Sequence, residues 1–569
     1  MFLREIFRMT MVGIGVLLFG SCQPAKDKEQ NKEAAKPVVQ ESESFDFVFV
    51  DRTAESGIVG SCQNGGDAQL RTMLETLGGG AGVVDFDLDG LADLFFNGGG
   101  SLTQDRKITG AASYLFRNLG AWQFSDCTLD ARVDTSELYN HGCQFGDIDN
   151  DGFADAVITG YQGILVFRNL GDGSFERVDC GIQTDKWATS AALSDFDNDG
   201  NLDLFVCNYL EWSFANHQVC KGPDDQGDVC TPRKFKGVVD DLFTSNGDWT
   251  FLKDGTQKGI RSMGKSLGVV TGDIDKDGDV DIYVACDVTS NLFYVNDGNG
   301  TFSEKGAPAG VDTDDESMPN GSMGTDLGDF NNDGLPDIGV ANFESENFAL
   351  YKQIRIGGKN SDSYIFNMAS KKSRLAAVDA MYVGWGTLFA DLDSDGDEDL
   401  IVNNGHISYF PSHGTMKQKP LLFANDGNAF RFKNVTAARY FSVGHHGRGM
   451  VTADFDLDGD LDIAFANCNE NFAVLENKSP RKKNLTRIRV IGIDSNRDGL
   501  GQVIAGVENS IRLTKGGGSF LSSLEPGCWV SKAPTDMKSP PEWAISAATM
   551  NGDLQQVIVV IPSQNKNHR

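Results

Sequence analysis

Short apolar runs alternate with polar loops rich in Asp and Gly along most of this chain. Runs such as Ala156-Val157-Ile158 and Ile282-Tyr283-Val284 start directly after such a loop and suit β-strands. A second punctuation follows them. Phe167 to Phe175 reads Phe-Arg-Asn-Leu-Gly-Asp-Gly-Ser-Phe, and Tyr294 to Phe302 repeats the form. This predicts hairpins, with Asn and Gly supplying the positive φ angles of the turns.

The loops share one nine-residue phrase, Asp-x-Asp/Asn-x-Asp-Gly-x-x-Asp, written seven times. Its ligand-type positions are Asp85, Asp87, Asp89 and Asp93; Asp147, Asp149, Asp151 and Asp155; Asp195, Asp197, Asp199 and Asp203; Asp273, Asp275, Asp277 and Asp281; Asp329, Asn331, Asp333 and Asp337; Asp391, Asp393, Asp395 and Asp399; and Asp454, Asp456, Asp458 and Asp462. Ca²⁺ takes about six to eight oxygen ligands, so alternate carboxylates curling round a cation, with Gly at the sharp turn, fit that ion. Where a backbone carbonyl would serve, the side chain varies freely: Leu91, Phe153, Asn201, Asp279, Leu335, Asp397 and Asp460. The second and tenth positions are apolar throughout, from Phe86 and Leu94 to Phe455 and Ile463, so buried strands should flank each loop. An EF-hand would need Glu twelve residues from the start, where Phe96 and Ile158 stand. One such phrase alone could be a metal-free hairpin turn; seven favour about seven calcium sites.

Charge follows the same loops. The chain carries 81 Asp and Glu against 50 Lys and Arg, and 27 of those acids stand at the motif positions. The resulting acidity repels nucleic acid, which is excluded as a partner.

Motif starts lie 62, 48, 78, 56, 62 and 63 residues apart, room for one four-stranded propeller blade plus variable loops. Five residues before each stands Gly80, Gly142, Gly268, Gly324, Gly386 or Gly449, with Ser190 the exception, as close backbone approach near an axis would require. The last repeat lacks its closing strand. Phe47 to Ile58, which resembles the segments at Phe251 and Phe430, should supply it and join the two ends of the ring. The fold expected is all-β: a seven-bladed β-propeller with calcium-binding loops, residues 45–483, plus a small C-terminal β domain, residues 484–569.

These features resemble the VCBS/FG-GAP repeat proteins, whose calcium-loop propellers include the integrin alpha-subunit head. Gly384 to Asp391, Asn404-Gly405-His406, Ile488 to Gly492, Ser495 to Gly501 and Gly516 to Ser523 resemble, more narrowly, bacterial relatives of cartilage acidic protein with an ASPIC/UnbV domain. That family's Phe-Gly-Leu-Gly and Trp-Pro-x-Gly closing phrases are absent; Val559 to Ser563 stands near the end instead.

Residues 1–21 read as an export signal: Arg4 and Arg8, an apolar run from Met9 to Phe19, then Gly20-Ser21-Cys22. Small residues before Cys22 suggest a lipobox with Cys22 lipidated; ordinary signal cleavage is the alternative. Residues 22–44 lack an apolar face and read as a flexible tether. The expectation is an exported, membrane-anchored bacterial lipoprotein, periplasmic or on the cell surface, touching the membrane only through its lipid, and monomeric. Ten cysteines remain, with Cys220 and Cys230 a possible disulfide bracketing a polar loop, and Cys207, Cys286 and Cys468 reading as buried thiols.

Six residues before each motif, Gly79, His141, Thr189, Leu267, Met323, Trp385 and Arg448 should ring one mouth of a channel. His141, Trp385, His445, His446 and Arg448 are a possible ligand face for a glycan or other anion, or else they pack the blade interfaces. The aromatic insertion at Tyr209, Trp212 and Phe214 is a second candidate surface. No nucleophile triad, zinc motif or phosphate loop is present, so a calcium-dependent surface binding or adhesion module for a glycan or protein is favoured. The alternative is a polysaccharide lyase or hydrolase, marked by Tyr, His and Arg converging in the channel.

Overall fold

A computed structural model describes residues 47–65, 68–357, 363–377, 379–425, 432–435, 439–492, 495–505, 510–530, 544–550 and 554–561. Cys22, the expected signal and tether, and Phe430 lie outside the described residues. Among the described residues no helix is long and apolar enough to cross a membrane.

The chain is all-β, built from successive antiparallel sheets of four strands. The first sheet orders Ala81–Val84, Asp93–Phe96, Tyr114–Asn118 and Phe124–Asp126. Six more begin with Asn140–Gly146, Ala188–Ser194, Ser266–Gly272, Ser322–Gly328, Gly384–Ala390 and Gly447–Ala453. These first strands touch in that order, and the seventh touches the first again. Every residue of Asn140–Gly146 is buried, as is every residue of Ala188–Ser194, so the inner strands carry no polar-out alternation. The short fourth strands turn one aromatic inward and two residues outward: Phe124, Phe175 and Phe302 are buried, and the two residues after each are exposed.

The seventh sheet takes its fourth strand from the N-terminal end. Phe49–Asp51 pairs with Ala473–Asn477 in the register Phe49↔Asn477. This pairing covers what would be a free sheet edge.

The glycines ahead of the loops sit where neighbouring inner strands meet. A Cβ on Gly324 would lie 1.8 Å from the Trp385 carbonyl oxygen of the next sheet, and one on Gly268 2.2 Å from that of Met323. Ser190 fills the equivalent place by donating Oγ–H to the Leu267 carbonyl at 2.5 Å.

The axis is filled by the C-terminal part of the chain. Gly516–Gly517 adds a fifth strand to the fourth sheet. Farther on, Thr325 N donates to Ser519 O at 3.0 Å, Cys143 N donates to Leu521 O at 3.2 Å, and Val83 N donates to Ser523 O at 3.1 Å. Ser519 Oγ donates to Met450 O at 2.9 Å, Leu521 N donates to Ser190 Oγ at 3.1 Å, and the Phe520 ring lies 4.8 Å from Trp385. Residues 516–523 thus contact all seven sheets. A separate mixed sheet orders Cys528–Val530, Thr486–Gly492, Leu554–Ile561 and Ala544–Met550.

Candidate metal centres

Each nine-residue loop joins the first and second strands of one sheet and is held by the same backbone bonds. The first carboxylate accepts the Gly amide five residues on: Gly152 N to Asp147 Oδ2 at 2.8 Å, Gly200 N to Asp195 at 3.0 Å and Gly396 N to Asp391 at 2.9 Å. The fourth residue of the phrase takes a left-handed backbone in all seven copies: Leu88, Asn150, Asn198, Lys276, Asn332, Ser394 and Leu457. Several of these reach the next loop: Asn150 Nδ2 donates to Gly200 O at 3.1 Å, Asn198 Nδ2 to Asp279 Oδ1 at 3.0 Å, and Lys276 Nζ to Gly334 O at 2.8 Å. Sequence reasoning passed over this position because its residue type varies; its shared backbone conformation has no single-residue signature.

The ninth residue has a second role. Asp155 accepts Ile148 N through Oδ2 at 2.9 Å and Asn169 N through Oδ1 at 2.8 Å, and Asp462 accepts Phe455 N and Asn477 N at 2.9 and 2.8 Å. Burial pushes Asp93 and Asp155 up to about 8. These carboxylates tie the loop to the third strand, besides any part in holding a cation.

Carboxylate oxygens from Asp85, Asp87 and Asp93, from Asp147, Asp149 and Asp155, from Asp195, Asp197 and Asp199, from Asp273, Asp275 and Asp277, and from Asp391, Asp393 and Asp395 gather within 4.8 Å of one another. Desolvation pushes Asp147, Asp391 and Asp454 up to about 7 and Asp195, Asp273 and Asp329 up to about 6. Clustered, buried acids of this kind are costly without a counter-charge.

Unused oxygens recur at one place. Asp87, Asp197, Asp275, Asn331, Asp393 and Asp456 each keep a buried Oδ1 with no hydrogen-bond partner, as do Asp85 and Asp273 at the first position. The first six are all the third residue of the phrase. In the second loop Asp149 is tied up instead, accepting Asp151 N at 3.3 Å and Trp249 Nε1 at 2.9 Å. Buried oxygens are ordinarily satisfied, so an orphan at the same offset in six loops fits a hard, oxygen-seeking cation.

Cationic side chains already lean on most loops. Arg117 pairs with Asp87 at 2.6 Å, Arg168 with Asp149 at 2.6 Å, Lys258 with Asp197 at 3.4 Å, Lys352 with Asp333 at 2.8 Å and Lys478 with Asp458 at 3.1 Å; Lys482 pairs with Asp393. Among the described residues, no Lys or Arg forms an ion pair with Asp273, Asp275, Asp277 or Asp281. Asp275 is accordingly pushed up to about 7, first by burial and then by Asp277 and Asp273. The C-terminal part docks on the same side. Asp498 Oδ2 accepts Asp147 N at 2.8 Å, Arg512 Nη2 donates to Gly396 O at 2.9 Å, and Ile511 N donates to Asp329 Oδ2 at 2.9 Å.

Residues 147–206 and 273–340 match the FG-GAP-like repeat. Each match begins at the first Asp of one loop, crosses the remaining strands of that sheet and the inner strand and loop of the next, and ends in the next sheet's second strand. Cartilage acidic protein 1 of Xenopus tropicalis is 23% identical over 375 residues, 60% of this chain and 50% of that protein. The Mus musculus protein is 25% identical over 48% of this chain and 38% of its own length. The human protein is 22% identical over 65% of this chain and 53% of its own length. The chain therefore spans about half the length, or less, of these curated relatives. Among solved structures, an Agrocybe aegerita lectin that recognises non-reducing terminal N-acetylglucosamine is similar at TM-score 0.38 and 16% identity, over 75% of this chain and 97% of the lectin. The exotype rhamnogalacturonan lyase YesX is similar at TM-score 0.28 and 11% identity, over 67% of this chain and 74% of its own.

The residues expected at a channel mouth are packed inside. His141 is fully buried, its Nδ1 2.8 Å from the Gly78 carbonyl, and desolvation pulls it down to about 4. Trp385 donates Nε1–H to Gly405 O at 2.7 Å beneath the Arg448 guanidinium, 4.2 Å from the ring centroid. Arg448, 2% exposed, spends its donors on the Thr76, Gly405 and Gly447 carbonyls. His445, half-buried, stacks on Tyr440 at 4.0 Å and meets Glu470 at 3.5 Å, and His446 is half-buried beside it. Leu267, Met323, Trp385, Phe520 and Leu521 share one apolar cluster with Tyr209 and Trp212. The insertion therefore covers this end of the ring, with Phe214 on its margin. Cys220 and Cys230 within it form a disulfide, Cα–Cα 4.9 Å. Cys207, Cys286 and Cys468 are buried thiols.

Proposed function

We propose that this chain is an exported, lipid-anchored, seven-bladed calcium propeller that acts as a cell-surface binding or adhesion module for a glycan or protein ligand. One observation carries the choice of binding over catalysis: residues 516–523 fill the axis and hydrogen-bond to its inner strands. A polymer substrate has no path through an axis occupied in this way, so recognition falls to the outer loops. His141 and Arg448 do approach each other around Gly78, yet both are buried, which weighs against a polysaccharide-acting site there.

Calcium, about seven ions, would be held by the carboxylates and by Asn331 of the seven loops. It would supply positive charge to clustered acids and fix the loops that connect neighbouring sheets. Cys22 would carry the lipid and residues 23–44 would serve as its tether. The cysteine pair at 220 and 230 suits an oxidising compartment. The test is a glycan-array and protein-ligand screen of the chain from Phe45 onward, one compact unit, in calcium and in EGTA. Calcium-dependent retention of a ligand supports the reading; release of shortened sugars from a polysaccharide contradicts it.

A further inference from the structure

The seam of the ring contains a pair of thiols. Beyond the strand Phe49–Asp51 the chain brings Cys62 alongside Cys468, and the two form an isolated parallel β-bridge. Bonds on both sides fix it: Asn469 N donates to Cys62 O at 2.8 Å, Phe472 N to Gly60 O at 3.1 Å and Cys468 N to His446 O at 2.9 Å. Asn64 N adds a bond to Asn469 Oδ1 at 3.0 Å. Neighbouring strands lie about 4.8 Å apart, inside the roughly 4.4–6.8 Å between Cα atoms that a disulfide spans.

The side chains face each other as well. Cys62 and Cys468 are 0% and 3% exposed, and the two buried thiols are close enough to perturb each other's titration. Two glycines make room for the sulfurs: a Cβ on Gly78 would lie 2.1 Å from Cys468 Sγ, and one on Gly79 2.8 Å from Cys62 Sγ. The neighbouring Cys62 thiol, and then the charge of Arg448, hold the Cys468 thiol below its usual range.

We propose that Cys62 and Cys468 are an oxidation site, joined as a disulfide that clasps the two ends of the ring. The oxidant is a disulfide donor of the glutathione or thiol-oxidoreductase class. Cys468 thiolate attacks one donor sulfur and expels the other as a thiolate. Cys62, its proton lost to solvent, then attacks the Cys468 sulfur of the mixed disulfide and expels the second donor thiolate. Two electrons pass to the donor, which becomes two thiols, and the two cysteine protons go to solvent or to the expelled thiolates. Burial places the exchange during folding, before the seam closes. The cross-link spans nearly the whole ring and restricts the unfolded chain accordingly. The inference does not depend on the loops holding calcium.

The test is refolding of the full chain with reduced and oxidised glutathione, followed by denaturing alkylation and non-reducing peptide mapping, with Cys220–Cys230 as the internal control. The expected result is a linked peptide pair containing Cys62 and Cys468, lost on reduction, and a lower Tm on reduction than in the oxidised form. In Cys62→Ser, reduction then shifts Tm less, because only the Cys220–Cys230 contribution remains. Alkyl label on both Cys62 and Cys468 while Cys220 and Cys230 are linked overturns the proposal, as does either cysteine linked elsewhere.

Discussion

Asn118 of the first sheet donates through Nδ2 to the Phe455 carbonyl of the seventh at 2.8 Å, and through the same nitrogen to Ala92 O in its own loop at 3.0 Å. The relationship repeats around the ring. Asn169 reaches Phe86 O, Asn296 reaches Phe196 O, Gln353 reaches Ile274 O, Asn425 reaches Phe330 O and Asn477 reaches Leu392 O, all at 2.6–2.8 Å. The third strand of one sheet is thereby fastened to the acidic loop of the sheet before it. Ser245 in the third sheet is too short, and Trp249 Nε1 makes the link instead by donating to Asp149 at 2.9 Å.

Asn118→Ala or Asn296→Ala leaves two buried carbonyls unpaired and is expected to cost about 2–3 kcal/mol. Denaturant unfolding measures it. Asn201→Ala, whose amide bonds Asp199 within its own loop, should change stability by less than about 0.5 kcal/mol.

Gly80→Ala places a Cβ 1.7 Å from the Leu521 carbonyl oxygen. Backbone on the axis must shift, so the substitution should cost about 3 kcal/mol. Proteolysis between residues 516 and 523 should accelerate in the variant if the axial segment is what gives way.

The fourth loop lacks the cation that others borrow from the third strand. Arg117, Arg168 and Lys352 precede Asn118, Asn169 and Gln353, whereas half-buried Val295 precedes Asn296. Val295→Arg is expected to raise the metal-free stability by about 0.5–1 kcal/mol and to weaken one calcium site. Melting with and without EGTA checks both signs.

Stability of the metal-free chain should fall as pH rises from about 6 to 8. Asp147, Asp275, Asp391 and Asp454 are held near 7, above the ordinary 3.8, so the folded state keeps protons there that the unfolded state has already lost. His141 and His446, pulled down to about 4, act the opposite way, but their contribution is nearly complete above about 6.5. Saturating calcium should remove the decline, and the calcium-induced rise in Tm should be larger at pH 8 than at pH 6.

The strands, the loop positions and the pairing of Phe49–Asp51 with the last sheet were legible because each depends on residue types at fixed spacing. Asn169 and Asn296 were legible only as turn residues. The positive φ angles belong to Gly171, Gly173, Gly298 and Gly300, while the Asn side chains fasten sheet to sheet through carbonyls that any residue could offer. The buried state of His141, Trp385 and Arg448 was not legible either. For Trp385 it depends on Phe520 and Leu521, distant in sequence, and on the Tyr209–Trp212 insertion; for His141 and Arg448 it depends on the segment of Thr76 and Gly78, whose carbonyls they meet.

Equilibrium dialysis of the chelator-stripped protein against calcium, with bound metal counted per chain, tests the central claim most directly. About seven ions per chain, falling by about one in Asp195→Ala, is the predicted result. A stripped protein that takes up no calcium and melts at the same temperature with and without it would contradict the account.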